Sequence, residues 1–103
     1  AGGAVGQISD VSTGSWGAFA IVASRQTVVL SGAVEERRRG SARIAASLLG
    51  EGGIDEIAFH EAAGLATHWN APLLLVCENN GYAEATATDW HLNTENVAQM
   101  MSA

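Results

Sequence analysis

The 103-residue chain contains no lysine, one proline (Pro72), one cysteine (Cys77) and no long apolar run. Each scarcity excludes something. Without lysine, a P-loop is ruled out, because that motif needs a lysine to reach the phosphates. Five arginines face eleven acids, for a formal charge of −6. That balance argues against nucleic acid as a partner, since backbone phosphates call for a basic face. A lone cysteine allows neither an internal disulfide nor a cysteine-based zinc pattern, so a reducing, intracellular setting is the default. The longest apolar runs, Ala18 to Ala23 and Ala71 to Cys77, are too short to span a bilayer, and no membrane partner is expected. No basic-then-apolar leader opens the chain, which reads as the absence of a signal peptide. There is no starting Met, and the true N-terminus is expected to lie upstream.

What is present fits one small globular domain. Apolar residues make up 48% and charged residues 16%, and the mean hydropathy is +0.13. That is too apolar for a disordered chain, but the length allows only a modest core. Residues 1–17 are rich in Gly, Ser and Ala without a period, and read as a flexible glycine-rich segment. Residues 18–24 suit a short strand or a turn. Residues 26–38 suit a helix ending at Gly40, with arginines in its last turn where the dipole favours them. The β-branched Thr27, Val28 and Val29 weaken that helix. Arg37 to Arg39 beside Glu35 and Glu36 read as a solvated helix end.

The second half is clearer. Arg43 to Leu49 reads as a buried strand that stops at Gly50-Glu51-Gly52-Gly53. Ile54 to Trp69 reads as an amphipathic helix, with Ile54, Ile57, Ala58 and Leu65 in its stripe and Asp55 and Glu56 in its first turn. Asn70 and Pro72 stop it. Leu73 to Cys77 is a second strand, ended by Glu78-Asn79-Asn80-Gly81. Strand, glycine turn, helix, strand is a βαβ unit with two parallel strands. The fold class is therefore α/β around a parallel sheet.

Ligands of parallel sheets bind at the carboxyl ends of the strands. Glu51 follows the first strand and Asn80 the second, 29 positions later. The crossover brings a carboxylate, an amide oxygen and backbone carbonyls to one edge. Hard oxygen ligands suit magnesium or calcium and not zinc. Gly50, Gly52 and Gly53 let the backbone come close to a phosphate, and a helix starting near Ile54 points free N–H groups toward it. A dinucleotide fingerprint is excluded because Asp55 stands where its third glycine belongs. Glycine turns also end many strands, and Asn-Gly is a common turn. From the residues alone, a magnesium-diphosphate site and a pair of ordinary turns both remain open.

The turn Gly50-Glu51-Gly52 and the pair Asn79-Asn80 resemble the Gly-Asp-Gly and Asn-Asn ends of thiamine-diphosphate enzymes. The intervening Phe59-His60-Glu61-Ala62, Trp69 and Pro72, and then Val76 to Ala83, narrow the resemblance. They look like the alpha subunit of pyruvate, branched-chain 2-oxo acid and acetoin dehydrogenases, most strongly over residues 43–88. The resemblance implies a partial three-layer thiamine-diphosphate-binding domain over residues 18–103, incomplete at both ends. It implies that Glu51 and the side chain of Asn80 bind Mg2+, with the backbone carbonyl of Tyr82 as a further ligand. Gly52 and Gly53 would contact the diphosphate, and Val22 would lie near the cofactor's central ring.

It further implies oxidative decarboxylation of a 2-oxo acid, or acetoin cleavage, with acyl transfer to lipoamide. The partners would be a beta subunit, which grips and activates the aminopyrimidine, and a lipoyl carrier. The location would be the cytoplasm, or the mitochondrial matrix in a eukaryote. One rival is another thiamine-diphosphate enzyme of decarboxylase or transketolase type, against which Phe59-His60-Glu61-Ala62 and Asn79-Asn80-Gly81-Tyr82 together speak; a non-catalytic packing fragment is the rival of another class. Three departures stand out. Glu51 replaces the family's aspartate, Ala20-Ile21-Val22-Ala23 replaces a Gly-Ile-Val-Gly run, and the family's clamps upstream and carrier-facing loop downstream are absent. The isolated chain is expected to have no turnover.

The remaining polar residues have plainer readings. His60 and His68 suit packing or hydrogen bonding, His91 a loop, and Cys77 the core. Glu61 suits a helix cap or pair, and Glu78 either the cofactor edge or a solvated turn. Trp16, Trp69 and Trp90 suit packing or an interface.

Overall fold

The computed structural model describes residues 9–18, 21–94 and 96–102. Residues 1–8 of the glycine-rich segment, and Ala20 of the altered Gly-Ile-Val-Gly run, lie outside the described residues. From Asp10 the chain makes a tight loop: a 3-10 turn at Val11–Thr13 and an antiparallel bridge between Asp10 and Ser15.

Helix α1, Ser24–Arg38, forms despite its β-branched cluster. Gln26, Val29, Leu30 and Ala33 are buried at helical spacing, and tertiary burial outweighs the propensity cost of Thr27, Val28 and Val29. Its end is a Schellman motif. Gly40, at φ +66°, donates to the Arg37 carbonyl (2.9 Å) and Ser41 to that of Glu36 (3.0 Å). The arginine run is solvated as its sequence suggests. Arg38 and Arg39 each lie 2.7 Å from the Glu35 carboxylate, and Arg37 donates to the Asn70 carbonyl at 2.6 Å.

Strand β1, Ala45–Gly50, leads into a 3-10 turn at Glu51–Gly53, then α2, Ile57–His68, and strand β2, Leu73–Glu78. β1 and β2 pair in parallel from Ala45↔Leu73 to Gly50↔Glu78. The α/β class and the βαβ unit follow directly. α2 also ends in a Schellman motif, with Asn70 at φ 47° in the glycine position. Asn70 donates to Thr67 (3.1 Å) and Ala71 to Ala66 (2.8 Å). Asparagine tolerates the left-handed region better than most residues, which is how Asn70 stops the helix.

Three sequence expectations need correction. The helix begins at Ile57 and not at Ile54, because Glu51 to Glu56 are taken up by the 3-10 turn and the bend after it. Asp55 and Glu56 thus precede the helix. The stripe shifts as well: Ile54 is wholly buried beneath the helix entry, while Ile57 is 84% exposed and the buried face runs through Phe59 and Ala62. Third, the strands are buried on one side only. Leu49, Leu75 and Cys77 pack with Phe59 and Ile54. Ala46, Leu48, Leu74 and Val76, on the opposite face, are exposed among the described residues.

Beyond β2 a short antiparallel hairpin forms from β3, Tyr82–Ala83, and β4, Thr86–Ala87. A 3-10 turn at Thr88–Trp90 and helix α3, Val97–Met100, follow. Leu92, Val97 and Met100 fold this tail back onto the Phe59 cluster. Among the described residues, no helix is long and apolar enough to cross a membrane.

Ile54→Ala is expected to cost about 2–5 kcal/mol in denaturant unfolding, whereas Ile57→Ala should change stability by less than about 0.5 kcal/mol. Hydrogen bonds from Arg38 and then Arg39 lower the Glu35 carboxyl from 4.5 to about 2. A depressed folded-state value means that this pairing supports α1 above the ordinary carboxylate range and is lost as pH falls toward 2. An NMR titration should place the Glu35 midpoint near that value.

Candidate functional site at the carboxyl ends of β1 and β2

The register places Gly50 opposite Glu78, so the two turns that follow leave the sheet at the same edge. The first turn is compact. Ile54 donates to the Glu51 carbonyl at 3.0 Å, closing the 3-10 turn. Its two inner glycines are required by close approach. A Cβ on Gly52 would lie 2.6 Å from Cβ of Ala83, and one on Gly53 would lie 2.8 Å from Cγ1 of Val22. The Glu56 carboxylate accepts from the Ala23 N–H at 3.3 Å, fastening the Val22 turn to the same place.

The second turn is built from side chains acting on the backbone. Asn79 Oδ1 accepts from the Gly81 N–H (3.0 Å) and Asn80 Oδ1 from the Tyr82 N–H (2.9 Å). These overlapping Asx turns hold Gly81 at φ +87° and direct Tyr82 and Ala83 over the glycine turn. The Thr88 N–H then donates to the Gly81 carbonyl at 3.0 Å, closing the hairpin's far side.

The structure thus brings Val22, Glu51, Gly52, Gly53 and the segment from Asn80 to Ala83 into one neighbourhood. The carboxylate itself is not in an open crevice. Glu51 is 1% exposed, and Thr88 Oγ1 donates to its Oε1 at 3.5 Å. It has no cationic partner among the described residues. A buried carboxylate is costly unless a cation or several hydrogen bonds compensate it. Asn80 and the Tyr82 side chain are exposed, with Tyr82 at 59%. Burial pushes the Cys77 thiol up, and the negative charges of Glu51 and Glu78 add to this. A thiol held protonated suits a core position and not a nucleophile.

The plain readings of the other residues hold only in part: among the described residues His68 makes no side-chain hydrogen bond, and Glu61 neither caps nor pairs within its helix. His60 is exposed and sets its ring edge-on to Phe59 (5.5 Å, 86°), and His68 is exposed. Glu61 and Glu78 are exposed. Trp16, Trp69 and Trp90 are all exposed, Trp16 with its ring over Gly32. His91, read as a plain loop residue, has a partner: its Nδ1 lies 2.7 Å from Asp55 Oδ2. Thr88, Ala83 and Glu56 also belong to this neighbourhood. Thr88 and His91 meet residues 37 and 36 positions away, and no local pattern signals either contact. Only Ala83 left a trace, as a small residue directly after the Asn-Asn-Gly-Tyr turn.

Fold and site together define an α/β unit whose polar turns gather where parallel sheets take ligands. The chain belongs to the dehydrogenase E1 component family, whose family model matches residues 2–103. It is 35% identical over 83 residues to the alpha subunit of acetoin:2,6-dichlorophenolindophenol oxidoreductase from Cupriavidus necator, covering 81% of this chain and 25% of that protein. It is 31% identical over 96 residues to the subunit of the same name from Bacillus subtilis, covering 93% of this chain and 29% of that one. A probable mitochondrial pyruvate dehydrogenase E1 component alpha subunit of Caenorhabditis elegans is 30% identical over 74 residues, covering 72% of this chain and 19% of that protein. The chain therefore corresponds to a stretch of a 2-oxo acid or acetoin dehydrogenase alpha subunit. It spans between a quarter and a third of the length of the two acetoin relatives.

Gly52→Ala is expected to destabilise the chain by about 1–3 kcal/mol through overpacking against Ala83. The double variant with Ala83→Gly should recover most of that loss. A Cβ at Gly50 meets nothing within 4 Å, so Gly50→Ala should be neutral or stabilising by up to about 1 kcal/mol. Thermal unfolding of the four proteins checks this.

Proposed function

We propose that this chain is the part of a thiamine-diphosphate-dependent 2-oxo acid or acetoin dehydrogenase alpha subunit that holds the cofactor's diphosphate and Mg2+. The observation that carries the reading is the buried Glu51 carboxylate, without a cation, beside the Asn79–Tyr82 turn at the end of a parallel strand pair. The donor set fits the group. Glu51 offers a carboxylate, Asn80 a side-chain oxygen and Tyr82 a backbone carbonyl, all hard oxygens of the kind magnesium prefers. Magnesium fills its remaining positions with phosphate oxygens and water, which is why few protein ligands suffice. Gly52 and Gly53, stripped of side chains at a crowded point, would present their backbones to the diphosphate. Val22, packed on Gly53, would lie toward the cofactor's central ring.

The helix is a lesser contributor than its sequence suggested, because α2 begins three residues later than Ile54 and the 3-10 turn stands between it and Glu51. When bound, the cofactor supplies the carbon chemistry, and the protein supplies binding and orientation. In the whole protein the domain, spanning residues 18–103 here, would complete a three-layer architecture, covering the bare face of Leu48, Leu74 and Val76. The parent enzyme would decarboxylate a 2-oxo acid oxidatively, or cleave acetoin, and transfer the acyl group to lipoamide. Its partners would be a beta subunit and a lipoyl carrier, in the cytoplasm or the mitochondrial matrix. The chain alone would not turn over.

A second reading, a packing module without cofactor, is favoured by one observation: Glu51 is longer than the family's aspartate and is already enclosed. Calorimetric titration of thiamine diphosphate with Mg2+ into the wild-type chain and into Glu51→Ala separates the two. The expected result is Mg2+-dependent binding that weakens by about tenfold or more in the variant, a loss that outer-shell changes alone can produce. A folded wild-type chain that does not bind would support the packing module.

A further inference from the structure

We propose that Thr88 is a positioning residue for the Glu51 carboxylate and that it ties the two strand-end turns into one unit. The inference rests on the magnesium-diphosphate reading above and adds a residue that the sequence pattern of the site does not contain. Thr88 touches both turns at once. Its hydroxyl donates to Glu51 Oε1 at 3.5 Å, and its backbone N–H donates to the Gly81 carbonyl at 3.0 Å.

Its own place is fixed from the other side. The Thr88 carbonyl accepts from the N–H groups of His91 (3.1 Å) and Leu92 (2.8 Å). Leu92 is buried in the core cluster with Ile54 and Ala23. His91 Nδ1 lies 2.7 Å from Asp55 Oδ2, four residues beyond Glu51. The segment from Thr88 to Leu92 is therefore anchored to the glycine turn at the Asp55 side chain, at Ile54 and at Glu51 itself.

A hydroxyl suits this role. It is neutral, so it leaves the carboxylate's full charge for a cation, and one O–H can fix only one of the two oxygens. At 3.5 Å the contact is too long to neutralise the carboxylate, so its effect is to orient it. Orientation matters more for glutamate than for aspartate, because the extra methylene adds a rotatable bond. With Oε1 turned to Thr88, the other oxygen has no hydrogen bond among the described residues and is available as a ligand. Aspartate at this position would be too short to reach Thr88 in the same way and would be positioned by the turn alone.

The test is a titration of Mg2+ at fixed thiamine diphosphate, read as heat, for the wild-type chain, Thr88→Val, Thr88→Ala, Thr88→Ser and Glu51→Ala. A parallel melt without Mg2+ reports folding. Loss of an outer-shell partner to a metal ligand typically weakens affinity about 10–100-fold. Thr88→Val and Thr88→Ala are expected to weaken Mg2+ affinity by about tenfold at unchanged melting temperature, and Thr88→Ser to stay within about twofold of wild type. In a Glu51→Asp background, Thr88→Val should have no further effect. If the wild-type chain binds, Glu51→Ala does not, and Thr88→Val and Thr88→Ala match the wild type, the positioning role is overturned and the site reading stands. A serine variant as weak as the valine one also overturns it. A wild-type chain that does not bind removes both readings.

Discussion

Everything at this site depends on the parallel pairing of β1 with β2. Parallel strands cannot be joined by a tight hairpin, so the chain must leave β1, cross through α2 and return. The price of that crossover is a turn after each strand at the same edge, and the register Gly50↔Glu78 brings those turns level. Shifting β1 by one residue against β2 would exchange the faces of β1, exposing Leu49 and burying Leu48. The buried cluster of Leu49, Ile54, Phe59 and Leu92 therefore fixes where Glu51 sits relative to Asn80.

The turns themselves are determined by small volumes and local hydrogen bonds. Gly52 and Gly53 admit Ala83 and Val22 at distances that no side chain would allow. Asn79 and Asn80 spend a side-chain oxygen each on shaping their own backbone. An amide oxygen has two lone pairs, so an Asx turn leaves Asn80 able to accept a further partner. Glu51 is the costly member. Enclosing a carboxylate with one long hydrogen bond is unfavourable in a bare protein, and a divalent cation would reverse that sign. The burial that makes the residue expensive is also what would make it a strong ligand.

The βαβ unit was legible because its strands are apolar runs of strand length, closed by glycines and by Asn-Gly. The ends of α1 and α2 were legible for the same reason, through Gly40 and Asn70. The start of α2 was not. Asp55 and Glu56 look like first-turn acids, but the preceding glycines draw the chain into a 3-10 turn that delays the helix. Ile57 looks like a stripe residue and faces water, because the stripe is phased from Phe59. The hairpin of β3 and β4 carries no turn signal, with Glu84 at φ 53° in place of a glycine. The bare face of Leu48, Leu74 and Val76 reads in sequence like any buried strand. At the site, the acid and amide were visible as residue types after strands, whereas the enclosure of Glu51 and its contact with Thr88 arise only when the tail folds back.

The central claim is that the two strand-end turns form one cation-diphosphate site. Paramagnetic broadening tests it most directly, with Mn2+ standing in for Mg2+ in the isotopically labelled chain and thiamine diphosphate present. The account predicts that amide signals of residues 50–53 and 79–83, with Thr88, broaden first and together, and that omitting the cofactor reduces the effect. Broadening centred instead on Glu35 and Glu36 of α1, or spread evenly over the surface acids, would contradict it.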